Sequence, residues 1–167
     1  MHGLPEWCVS ITLLRDFEPV LTVVHQPVGD HTWTAVRGGG AFLDGRPLHA
    51  SAKTELNAAI AVTGQAEAAQ ADTYRRLGDS ITAMLPEALM VKATVPSTFP
   101  MLLVASGQND VFWQFSPVLP GVAAGVLLIT EAGGVVTRLD GSPWLPGSPD
   151  ILATAPALHK PAVAVLS

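Results

Sequence analysis

Cysteine is almost missing from this chain: Cys8 is the only one. That excludes an internal disulfide framework and any zinc site built from several thiolates. The residue reads as a buried strand cysteine and not as a nucleophile. Charge is equally scarce, at 14% of residues against about 25% in an average globular domain. The nine Lys and Arg are dispersed and the net charge is −5, so there is no basic stripe to neutralise phosphates, and nucleic acid is not an expected partner. Long apolar runs are also lacking. The longest, such as Gly121 to Ile129, fall well short of the ~18 residues needed to cross a bilayer. The first residues, Met1-His2-Gly3-Leu4-Pro5-Glu6, carry neither a basic nor an apolar leader segment. The expectation is a cytoplasmic protein with no membrane partner.

What is present is apolar and finely divided. Hydrophobic residues make up 49% of the 167, scattered among Gly, Pro, Thr and Ser, enough for one domain with a sizeable core. Val9, Ile11 and Leu13 alternate with Ser10 and Thr12, a turn is expected from Asp16 to Pro19, and Val20 to Val24 forms a second strand. Thr32 to Val36 and Ala41 to Leu43 continue the series, with Asp44-Gly45 as a hairpin turn. Beyond about Ser51 strands alternate with helices. Strands are predicted at 59–63, 89–93, 111–115, 135–139 and 151–155, and helices at about 67–84, 97–106, 120–132 and 157–166. Arg75, Arg76 and Asp79 belong on a solvated helix face. Val122 to Ile129 is apolar nearly all round and belongs between layers, where Ala123, Ala124 and Gly125 permit close backbone approach. The fold class is therefore α/β in layers: a single domain over 1–167, with a strand meander (1–50) followed by an α/β part (51–167).

Arg37-Gly38-Gly39-Gly40-Ala41-Phe42-Leu43-Asp44-Gly45-Arg46-Pro47-Leu48, together with Gly121-Val122-Ala123-Ala124-Gly125 through Glu131-Ala132-Gly133-Gly134, resembles the "RGGGAF-NG-PL" and "WDVAAG...EAGG" segments of the inositol monophosphatase family. Asp150-Ile151-Leu152-Ala153 resembles the strand before that family's last helix. The resemblance implies the C-terminal part of a layered fold that is commonly dimeric. In that family, clustered carboxylates hold Mg²⁺ ions, which activate water and neutralise a phosphoryl group.

The ligand positions differ here. Met1-His2-Gly3-Leu4-Pro5 matches the stretch just after the family's Asp-Pro-Ile-Asp-Gly-Thr motif, so a truncated homologue is expected. The "WD" pair is Pro120-Gly121, a substrate-contacting Glu is Gln114, and the "Gly-Ser/Thr" pair is Pro96-Ser97. Gly and Gln supply no anionic ligand. The expectation is a metal-free pocket lined by Ser97, Thr98, Trp113, Gln114, Pro120 and Gly121, which binds a mainly apolar small molecule. Mg²⁺ enters only if a phosphatase reading survives.

If the protein is an enzyme, Asp110 and then His2 are the candidate acid/base groups, for a metal-free cyclisation or isomerisation in bacterial specialised metabolism. The alternatives are a non-catalytic pseudo-phosphatase acting as a regulatory partner, and a half-enzyme completed by another chain. Gly38-Gly39-Gly40 reads as a bend and not a phosphate cradle, because no Lys-Ser/Thr or helix follows it. His2, His25, His31, His49 and His159 lack helical pairing for a metal site. Missing layers leave apolar faces uncovered, so a homo-oligomer, in the simplest case a dimer, is expected.

Overall fold

The computed structural model describes residues 4–64 and 70–167. Five strands form an antiparallel meander in the order β1 (Val9–Arg15), β2 (Glu18–Gln26), β3 (His31–Val36), β4 (Gly40–Leu43) and β5 (Arg46–Pro47). The turns follow from local chemistry. Asp16 and Phe17 both take positive φ (52° and 64°), as do Asp44 and Gly45 (49° and 75°), the geometry that matches the twist of a two-residue hairpin. The first turn is thus shorter than the sequence suggests, since Glu18 and Pro19 already pair in β2.

A second sheet has the strand order β7 (Met90–Thr94), β6 (Ile60–Gly64), β8 (Val111–Phe115), β10 (Asp150–Thr154) and β9 (Val135–Thr137). β6 is parallel to both β7 and β8, whereas β10 runs antiparallel to β8 and β9. The parallel connections pass through α1 (Ala71–Met84) and α2 (Thr98–Ala105). The predicted start of α1 near Glu67 lies outside the described residues. α3 (Leu119–Glu131) and α4 (His159–Leu166) complete the chain.

The layers run sheet, helices, sheet, helices. The first core joins the inner face of the meander (Val24, Trp33, Ala35, Ala41) to α2, α3 and one face of the second sheet (Val62, Phe112, Ile151, Ala153). The second core packs the opposite face of that sheet (Ala61, Val111, Trp113, Leu152) against α1 and α4. α3 is buried along most of its length, as its all-round apolar character requires. Each buried Leu or Ile there contributes about 2 kcal/mol. Gly125 permits the α2–α3 contact, because a Cβ at that position would lie 2.5 Å from the Cβ of Met101.

The orientation of β1 is less usual. Ser10, Thr12 and Leu14 face α3 and line a cavity with it, while Val9, Ile11 and Leu13 on the other side are exposed. Cys8 is half-buried just before β1, and not buried within a strand. No described helix is long and apolar enough to cross a membrane.

Candidate functional site

β6, β7 and β8 are parallel, so their carboxyl ends share one edge of the second sheet. In open α/β sheets that edge is where ligands settle. Gly64 closes β6, Thr94 closes β7, and α2 and α3 begin just beyond β7 and β8.

Three of the expected residues meet here. The Thr98 hydroxyl donates to the carbonyl of Gly121 (2.8 Å), and a Cβ on Gly121 would lie 3.9 Å from that of Ser97 and 3.4 Å from Val118 Cγ2. These are ordinary separations, so packing does not demand glycine at 121. Neither α2 nor α3 has a side-chain cap or an acid in its first turn, so neither helix offsets the positive end of its own dipole from within. Pro120, one residue before Gly121, borders a cavity of about 260 Å³ with Ser10, Thr12, Leu14, Leu119 and Ala123. Gln114 projects from the penultimate position of β8, and its amide covers Gly64 so closely that a Cβ there would come within 2.7 Å of Gln114 Cδ. Gln114 is 6% exposed, and its Oε1 is buried with no hydrogen-bond partner among the described residues. An unpaired buried acceptor of this kind costs about 1–3 kcal/mol.

Two expectations are corrected by geometry. Asp110 does not stand beside Ser97, Thr98, Gln114 and Gly121; it precedes β8, at the opposite end of the strand from Gln114. It is fully buried, its Oδ2 accepts from Lys53 Nζ (2.8 Å) and the Ile60 amide (2.7 Å), its Oδ1 has no hydrogen-bond partner among the described residues, and its backbone ties β6 to β8 as well. A carboxylate so engaged is a positioning group of the fold and has no route to a ligand at the far edge. Trp113 faces the α1–α4 side, one residue out of phase with Gln114, and is fully buried with its Nε1–H donated to Ser80 Oγ (2.9 Å). It cannot line a pocket with Gln114 on the other face of the same strand. His2 lies outside the described residues.

Other carboxylates are similarly occupied. Glu131 accepts from the amides of Gly38 (2.8 Å) and Gly40 (2.9 Å), so α3's last residue closes the β3–β4 turn and its carboxylate fills the glycine loop. Asp150 accepts from the Leu139 amide (2.9 Å) and lies between Arg76 (3.5 Å) and Arg138 (3.9 Å). Glu6 reaches the strand-end edge from outside and accepts from the Thr94 hydroxyl (3.2 Å). Among the described residues no three His, Cys, Asp or Glu side chains converge on a point. A magnesium ion needs hard oxygen ligands with carboxylate charge, and the described donor set at this edge does not fit one. The residues missed by sequence reasoning are Gly64 and the Ser10-Thr12-Leu14 wall. The alternation of β1 carried a signal for the latter.

Fold and edge together define a layered α/β protein in which two helices start just beyond the carboxyl ends of parallel strands. Its relationships are equally specific. The inositol monophosphatase family model matches residues 1–167, and the chain belongs to that family. It is 34% identical over 141 residues to an inositol-1-monophosphatase of Rhizobium meliloti (strain 1021), covering 84% of this chain and 53% of that protein. It is 32% identical over 143 residues to the Nus factor SuhB of Pseudomonas aeruginosa, covering 85% and 53%. The solved inositol monophosphatase from Anabaena (Nostoc) sp. PCC 7120 superposes with a TM-score of 0.89 at 30% identity, covering 99% of this chain and 65% of that one. The chain spans about half the length of the curated relatives it matches.

Proposed function

We propose that this chain is a family member without the magnesium-dependent phosphatase chemistry, and that it binds a mainly apolar small molecule at the carboxyl ends of β6 and β8. The observation that carries this reading is Gln114: its buried Oε1, without a hydrogen-bond partner among the described residues, lies at the strand-end edge, at the position where the family resemblance implies a substrate-contacting Glu. A neutral acceptor suits a ligand with an apolar body and one hydrogen-bond donor. The uncapped starts of α2 and α3 add amide dipoles that suit an oxygen acceptor on the same molecule. Gly121 leaves space where a side chain would otherwise project. Any reaction carried out there would be a metal-free rearrangement of the bound molecule, such as a cyclisation or isomerisation.

Two measurements test the proposal. Phosphate release from inositol, sugar and nucleotide monophosphates, with Mg²⁺ titrated, should stay at background; Mg²⁺-dependent release would overturn the non-phosphatase reading. A thermal-shift screen of apolar compounds bearing a hydroxyl or amide should give hits whose shift is lost in Gln114→Met. The same variant should be about 1 kcal/mol more stable than the wild type without ligand, since it removes the unpaired acceptor at nearly constant volume. Hits that bind Gln114→Met equally well would dissociate the ligand from this edge.

A further inference from the structure

Another cavity, of about 410 Å³, lies where β3 begins and the β4–β5 hairpin turns, bounded by His31, Leu43, Asp44, Arg46, Pro47 and Leu48. None of these residues belongs to the second sheet or to a helix, so the cavity is separate from the strand-end edge. Its floor is apolar, since Leu48 is part of the first core and Leu43 packs against it. Asp44 is committed within the fold: Oδ1 accepts from the Thr32 amide (2.8 Å), Oδ2 bonds His31 Nδ1 (2.8 Å), and its own amide donates to the Thr32 carbonyl (2.9 Å). The side-chain bond from His31, then that from the Thr32 amide, holds its carboxyl below the usual carboxylate range, so it is ionised and can only accept. The proton in the Asp44–His31 bond therefore sits on Nδ1, which leaves Nε2 as the free ring nitrogen, without a hydrogen-bond partner among the described residues. The ring is fixed further by Trp33, edge-on at 5.9 Å between centroids, and by Gly29, where an added Cβ would lie 3.2 Å from His31 Cδ2. Arg46 lines the same cavity, and among the described residues its guanidinium makes no salt bridge or hydrogen bond.

We propose that this cavity binds a small amphiphilic carboxylate, with its apolar chain on Leu43, Pro47 and Leu48 and its two oxygens between Arg46 and His31 Nε2. An unpaired guanidinium presents two parallel N–H donors, which match the two oxygens of a carboxylate. Nε2 adds a third donor when the ring is protonated, and Asp44 on the far side of the ring offsets that charge. In a chain of net charge −5 an anion is tolerated here because the one local acid is already engaged by two N–H groups. Size points to a small molecule, since ligand pockets span about 300–1,000 Å³. The apolar floor favours a hydrocarbon body over a bare inorganic anion. The three oxygens of a phosphate group call for more donors than Arg46 and one ring nitrogen supply.

The test is a titration of the chain with octanoate, read by calorimetry and by the His31 ring signals in nuclear magnetic resonance. The wild type should show one saturable site and a shift of the His31 ring signals. Arg46→Gln and His31→Gln should each bind about tenfold more weakly or worse, the loss expected when a charge-assisted hydrogen bond is removed. Arg75→Gln, the same change of charge at an exposed position on α1, should bind as the wild type does. Arg46 makes no bond within the fold, so its variant should keep the wild-type far-ultraviolet spectrum and carries the test should His31→Gln fail to fold. Absence of saturable binding, equal affinity in Arg46→Gln and wild type, octan-1-ol binding as tightly as octanoate, or octyl phosphate binding in preference to it each overturns the proposal. Neither variant touches Gln114, so failure here is distinct from failure of the ligand reading at the strand-end edge.

Discussion

Asp110 holds two strands in register: its carboxylate takes the Lys53 ammonium and the Ile60 amide, while its backbone bonds to Ile60 and Ala155. Replacing it with Ala removes both partners at a fully buried position and strands the Lys53 charge against the core. The expected cost is about 3 kcal/mol, read as a lower urea midpoint at constant slope. A loss under about 1 kcal/mol would show that Lys53, which is 38% exposed, simply turns to water. Sequence reasoning offered Asp110 as an acid/base group, but it lies at the opposite end of β8 from Gln114. No local pattern shows this, because it depends on the direction of β6 and β7 beside it.

Among the elements, α3 is the one on which both the core and the site depend. Its amino end supplies Pro120 and Gly121 to the edge, its middle packs on α2, and Glu131 at its far end closes the glycine turn. Two glycines of this helix make opposite predictions. Gly125→Ala forces a Cβ to within 2.5 Å of Met101 Cβ, an atom fixed to the α2 backbone, so the helices must part at a cost of about 1–3 kcal/mol. Gly121→Ala meets nothing closer than 3.4 Å and should be neutral or stabilise by up to about 1 kcal/mol through helix propensity. Denaturant melts of the two variants check the contrast. If both lose the same stability, close helix contact at Gly125 is not the reason for the glycine. The all-round apolar character of 122–129 was legible in the sequence. The partner at Gly125 was not, since close approach requires knowing which helix crosses there.

For the molecule as a whole, stability should depend on pH through His159, which joins the start of α4 to β9 by a 2.8 Å bond between Nε2 and Thr137 Oγ1. Burial lowers the pKa of this imidazole from its ordinary 6.5. With the folded value below the unfolded one, the unfolded chain binds the proton first. The stability associated with a neutral His159 is therefore complete above 6.5 and is lost as pH falls from there through the lower folded value. Thermal melts from neutral pH downward should show this decline, and His159→Gln should flatten it relative to the wild type. A variant that follows the wild type over the whole range would place the pH dependence elsewhere.

Local chemistry by itself determined the strand and helix positions, the Asp44-Gly45 hairpin, the burial of α3 and the family, because periodicity, turn residues and motif spacing are properties of neighbours along the chain. Only the tertiary structure decided which layer each face meets. A period of two states that Val9, Ile11 and Leu13 share a side, but not that this side faces water while Ser10 and Thr12 face α3. For the same reason it could not say that Trp113 turns to α1 while Gln114 turns the other way. That choice is made by the order and direction of strands distant in sequence, which no local pattern encodes.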